Sequence, residues 1–157
     1  MNLRAAALLF AVAALAGCDS FSPSDALVDL PDATTDPTTL VSEYGWAVVS
    51  AVSDGKAYQF PEGVQFYTVF GADGVIGGRV PNNGYAGDYV AAADGTFRAE
   101  GVYQTLVSMS DRDAKLARVL LGELQQATRF EVSETTLQIR SPDGDGVRFE
   151  WNGFRAQ

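Results

Sequence analysis

The side chains able to do chemistry in this 157-residue chain are few in kind: one cysteine, Cys18, no histidine, and 20 acids against 11 bases. The missing imidazole removes Ser-His-Asp and Cys-His catalysis, acid/base work near neutral pH, and the usual zinc and copper ligand sets. A carboxylate pair is the chemistry that remains, because two acids about 5 to 10 Å apart hydrolyse a glycoside without histidine. Nearly all the acids, however, fall in turns, in a Ser/Thr/Pro-rich segment or at helix ends, where water keeps carboxylates ionised and alike. Pro142-Asp143-Gly144-Asp145-Gly146 is superficially like an acidic calcium loop with Glu150 nearby, but it lacks the third acid and the spaced glutamate of such loops and reads as a hairpin turn. Residues 110–115 hold no Ser-x-x-Lys, and no glycine-rich phosphate loop precedes a helix. The expectation is a protein with no catalytic residue, metal or cofactor.

Cys18 stands out by position. Arg4 precedes an unbroken apolar run from Ala5 to Ala16, and the small residues Ala16 and Gly17 leave room for a peptidase, so residues 1–17 read as an export signal. The run is too short to span a bilayer, which takes about 20 apolar residues. Leu15-Ala16-Gly17-Cys18 resembles the bacterial lipobox. That resemblance implies cleavage before Cys18, a diacylglycerol thioether on its sulfur, and a fatty acyl chain such as palmitate on the new N-terminus. Two or more chains make a stable membrane anchor where one is marginal. The alternatives are a cleaved signal with an incidental cysteine, or an uncleaved apolar tail. Asp19 resembles an inner-membrane retention signal, a rule that varies among bacteria, so the expected site is the cell envelope at either membrane, facing the periplasm or the cell surface.

The mature chain would have 140 residues, one ordinary domain, with ten bases against 20 acids and a net charge of −10. Such acidity repels phosphate backbones and anionic lipid surfaces; nucleic acid is excluded as a partner, and lipid must do the membrane binding. Export permits disulfides, but no second cysteine exists. Stability must come from burial and the hydrogen-bonded sheet. A monomer is expected.

Residues 18–40 are rich in Ser, Thr, Asp and Pro and are expected to form a lipidated, flexible tether, with Ala26-Leu27-Val28-Asp29-Leu30 as a patch able to dock. From Tyr44 the pattern becomes that of strands: Trp46–Val52 is nearly continuous in apolar residues, and Val64–Phe70 and Thr136–Arg140 alternate. Further strands are expected at Val75–Arg79, Gly87–Ala92, Thr96–Gly101, Gln104–Ser108, Phe130–Ser133 and Val147–Trp151. Asp-Gly pairs at 54, 73, 94, 143 and 145 suit the positive φ of tight hairpins, which makes the sheet an antiparallel meander. One helix is expected through Thr128, capped by Ser110 or Asp111, with Ala117, Leu120, Leu121, Leu124 and Ala127 as its core stripe. Arg112, Lys115, Arg118 and Gln125 then face water. The fold class is α+β, a strongly curved antiparallel sheet with one packed helix.

The stretch from Val75 to Tyr89 resembles the signature of the META domain, the family of HslJ-type heat-inducible envelope lipoproteins. Gly78, Asn83, Tyr85, Gly87 and Tyr89 match that pattern, Trp46 resembles the tryptophan that opens the domain, and Thr105 resembles the threonine before its second cysteine. The match spans about residues 43–152, within a domain placed at 41–155. Asn82 stands at the first family cysteine and Met109 near the second, so no thiol chemistry carries over. The resemblance implies a barrel-like α+β fold and an envelope role linked to stress tolerance, drug tolerance, motility or secretion, with no known reaction.

Asn83, in an Asn-Asn-Gly turn, is expected to be a left-handed residue that bonds the backbone. Gly78 and Gly87 are expected to permit bulges or close backbone approach, and Tyr85 and Tyr89 to pack in the core or its rim. The function expected is non-enzymatic binding or scaffolding in the envelope, with a partner protein there. A barrel-type small-ligand or inhibitor module, with 82–86 as its protruding loop, is the alternative, and a carboxylate-based glycoside hydrolase ranks below it.

Overall fold

The computed structural model describes residues 21–41, 44–63 and 65–155. The expected signal 1–17 and Cys18 lie outside them. The described residues begin with a short helix, α1 (Pro23–Ala26), then enter strands β1 (Tyr44–Ser53), β2 (Lys56–Gln59), β3 (Tyr67–Phe70), β4 (Val75–Val80), β5 (Asn83–Ala91) and β6 (Phe97–Gln104). Helix α2 (Asp111–Gln126) follows, and β7 (Arg129–Ser133), β8 (Thr136–Arg140) and β9 (Gly146–Arg155) complete the fold. The strands form one antiparallel sheet in the order β6-β5-β4-β3-β1-β9-β8-β7, with β2 attached to β1. The sheet curls into a half-barrel around one main helix, the α+β class expected.

The hairpins form where the sequence places residues tolerant of positive φ. Asp54 and Gly55 join β1 to β2 at φ 52 and 67, and Gly74, Gly95 and Gly144 turn the next hairpins at φ 81, 84 and 92. In β1 a register shift between Val48 and Ser50 changes the strand's parity, so that Trp46, Val48 and Ala51 all join the main core while Ser50 and Val52 face the other way.

The curled sheet meets itself at one corner. Thr96 bridges Arg129, the Phe97 amide donates to the Thr128 carbonyl at 2.9 Å, and the Phe130 amide donates to the Gly95 carbonyl at 2.9 Å. Beyond that corner α2 packs against β6, β9, β1 and β8. Ser110 caps it by accepting from the Asp113 amide at 3.1 Å, and Leu116, Ala117, Leu120, Leu121 and Leu124 point inward. They meet Phe70, Phe97, Ile76, Val80, Phe149, Leu137 and Ile139, all buried. Arg112, Lys115, Arg118 and Gln125 are exposed, as the helical spacing predicts.

The segment 18–40, expected as a flexible tether with a patch at Ala26–Leu30 able to dock, is held from Phe21 on: Ala26 and Leu27 bury against Val52 on the outer face of the sheet, the Ser50 hydroxyl donates to the Ala26 carbonyl at 2.6 Å, and Thr34 bridges Val132 of the edge strand β7. Its polar composition hides this because backbone groups, rather than many apolar side chains, make the contacts. Buried Gln138, facing outward between inward Leu137 and Ile139, accepts from the Val28 amide at 3.2 Å and donates to its carbonyl. The strand expected over 104–108 ends at Gln104, and 105–109 is a loop held by a side chain instead of a neighbouring strand. Strand β2, with Ala57 and Tyr58 as its apolar residues, escaped the pattern.

Candidate functional site

Asn82 and Asn83 of the stretch that resembles the META signature lie at the end of the sheet where β4 turns into β5. The left-handed residue of that turn is Asn82 (φ 64), whereas Asn83, expected in that role, already begins β5. Asn83 does bond the backbone, across the sheet. Its side chain is buried, its Oδ1 accepts from the Val107 amide at 2.6 Å and the Thr105 hydroxyl at 2.8 Å, and its Nδ2 donates to the Val107 carbonyl at 2.8 Å. Thr105 closes the ring, its Oγ1 accepting from the Gly84 amide at 3.2 Å while its own amide donates to the Gly84 carbonyl at 3.0 Å. Asn82 adds a bond from Nδ2 to the Ser108 carbonyl at 3.0 Å.

These bonds position a loop that the sequence reading missed. The stretch 82–86, expected to protrude, is mostly strand, and the protruding loop is 105–109. Leu106 is 92% exposed there, beside Val107 and Tyr103 at 56% and 68%. Consecutive apolar residues after a strand, without alternation, were the available signal.

The remaining motif residues build the sheet's curvature. A Cβ on Gly78 would lie 2.0 Å from the Tyr67 carbonyl oxygen and 2.7 Å from the Tyr85 ring, so only glycine lets β3, β4 and the Tyr85 side chain meet there. Gly87 sits at a register shift between Ala86 and Asp88, with a Cβ position 2.8 Å from the Glu100 carbonyl oxygen. Tyr85 is buried, its hydroxyl 2.5 Å from that of Thr68 and donating to the Tyr67 carbonyl at 3.1 Å, and burial pushes its pKa up, so it stays a neutral donor. Tyr89, half-buried, donates to the Gly71 carbonyl at 2.9 Å and stacks on Phe97. Trp46 is buried and donates from Nε1 to the Leu40 carbonyl at 3.2 Å.

Among the described residues no group of three acids or cysteines is close enough to hold a metal ion. A groove of about 380 Å³ is lined by Asp32, Glu134, Thr34, Val132, Trp46 and Trp151. Both acids are exposed at left-handed turn positions, φ 56 and 49, whereas a general acid in glycoside hydrolysis requires a desolvated carboxyl. The acid that is buried lies elsewhere. Glu123, on the core side of α2 three residues beyond Leu120, bonds Ser53 and has its pKa raised first by burial and then by Asp145, Asp143 and Asp54. Its spacing from Leu116 and Leu120 already placed it on the buried stripe.

No protein-family model matches the chain, and no curated protein matches its sequence. Solved structures do share its fold. A Burkholderia xenovorans protein determined by NMR is 20% identical, covering 83% of this chain and 97% of that one at a TM-score of 0.63. A DUF4847-family protein from Bacteroides vulgatus is 15% identical, over 78% of this chain and all (100%) of that one, at 0.55. A further NMR structure is 14% identical over 74% and 94% of the two chains at 0.55. The class these likenesses define is a curled antiparallel sheet with one packed helix; at such identities they define the fold alone.

Proposed function

We propose that the chain is a bacterial envelope lipoprotein, anchored through lipid on Cys18, whose META-like domain binds or scaffolds a partner in the envelope without catalysing a reaction. The observation that carries this is the placement of the sole cysteine directly after Ala16-Gly17, at the end of the apolar run Ala5–Ala16. No helix among the described residues is long and apolar enough to cross a membrane. The META-like assignment draws support from the Asn82–Ser108 hydrogen bond, which joins the two places where the family resemblance sets cysteines, one at Asn82 and one near Met109.

A second reading, an inhibitor-type binding module, is favoured by one observation: Leu106 is almost fully exposed on a loop that Asn83 holds rigid. The two readings are compatible, because an anchored domain can present such a loop to a partner. Cys18→Ser should move the protein from the membrane fraction to the soluble fraction, and the intact mass of the native product should show a chain beginning at an acylated Cys18. A Cys18→Ser protein that stays in the membrane, or a native chain that still begins at Met1, overturns the proposal.

A further inference from the structure

Resting on the lipid anchor just proposed, we infer that the face formed by α1 and β2 is the membrane-facing surface of the protein, so that the domain lies on the bilayer and does not stand off on a tether. The first observation is how Phe21 and α1 sit on the sheet. Phe21 already packs against the cluster of Ala26, Leu27 and Val52, together with Ala57 of β2. Ser50 holds the Ala26 carbonyl, and Gln138 and Arg140 hold Val28, so the start of the domain is fixed on the outer face of the sheet.

The second observation is the length of chain left over. Cys18 and Phe21 are separated only by Asp19 and Ser20, and three residue steps reach at most about 11 Å however they are arranged. The headgroup layer on each side of a bilayer is itself roughly 5–8 Å deep. With its acyl chains in the hydrocarbon, Cys18 therefore holds Phe21 and the surface around it against the headgroups. A tether of some twenty residues would have set no orientation; three steps do.

Asp88, by contrast, lies on β5, three places from β1 in the sheet order and away from α1.

The test uses the full-length lipidated protein in vesicles of phosphatidylethanolamine and phosphatidylglycerol. Because the Cys18 sulfur is blocked by lipid, a fluorophore is attached at Ser24→Cys, Lys56→Cys or Asp88→Cys in separate samples and quenched by a nitroxide on the lipid headgroup. Ser24→Cys and Lys56→Cys should be quenched severalfold more than Asp88→Cys. Equal quenching at the three positions in a chain that sediments with the vesicles and carries acyl mass overturns this orientation and leaves the anchor standing. A chain that lacks acyl mass and stays in the supernatant overturns both.

Discussion

Asn83 shows how one side chain replaces an element of secondary structure. Backbone pairing with β5 stops at Thr105, so the Val107 amide and carbonyl have no backbone partner; the carboxamide of Asn83 carries a donor and an acceptor and satisfies both. Asn83→Ala should lower the unfolding free energy by about 1–2 kcal/mol in urea, since three part-buried hydrogen bonds to Val107 and Thr105 are lost. Hydrogen exchange at the Val107 amide should rise towards the rate of an unfolded chain. Unchanged protection at Val107 would mean that the loop is held by something else.

At the scale of elements, the glycines of strand and helix differ in what surrounds them. Gly78 lies under the Tyr67 carbonyl and the Tyr85 ring, and Gly78→Ala must push β3 and β4 apart, at about 3 kcal/mol or more. Gly122 in α2 has nothing within 4 Å of its Cβ position, and Gly122→Ala should stabilise the protein by about 0.5–1 kcal/mol because alanine restricts the unfolded chain and favours the helix. Thermal unfolding of the two variants should therefore move in opposite directions. A Gly78→Ala protein as stable as the parent would show that the strand contact yields easily.

For the whole molecule the informative charge is Glu123, because it is buried where α2 crosses β1 while Asp54, Asp143 and Asp145 add negative potential from the neighbouring turns. Ser53 bonds it and opposes the shift without reversing it. The folded state thus favours the protonated acid. Its contribution to stability is fully present below the pKa of a free glutamate, about 4.3, and is lost as pH rises through the higher folded value. Glu123→Gln keeps the shape without the charge, so the variant should be more stable than the parent at pH 7, with the gap closing towards pH 4. Melting temperatures of both proteins across that range provide the check, and a gap that is constant with pH would show that Glu123 does not carry it.

The elements were legible in the sequence wherever one stretch of chain contains its own instruction. The leucine spacing of α2 with Ser110 before it, the alternation of β8 and the Asp-Gly turns each act over a few neighbouring residues, and each is found in the structure. The proposal for Cys18 rests on the same kind of local reading, of the residues before it. Tertiary structure alone decided the contacts between distant segments: Thr96 meeting Arg129 to close the corner, Val28 held by Gln138, and Asn83 reaching Val107. Polar groups make those contacts, and a polar residue spaced for solvent looks the same in sequence as one whose partner arrives from a hundred residues away. Periodicity records which face of an element is buried, and only the closing of the sheet determines what covers it.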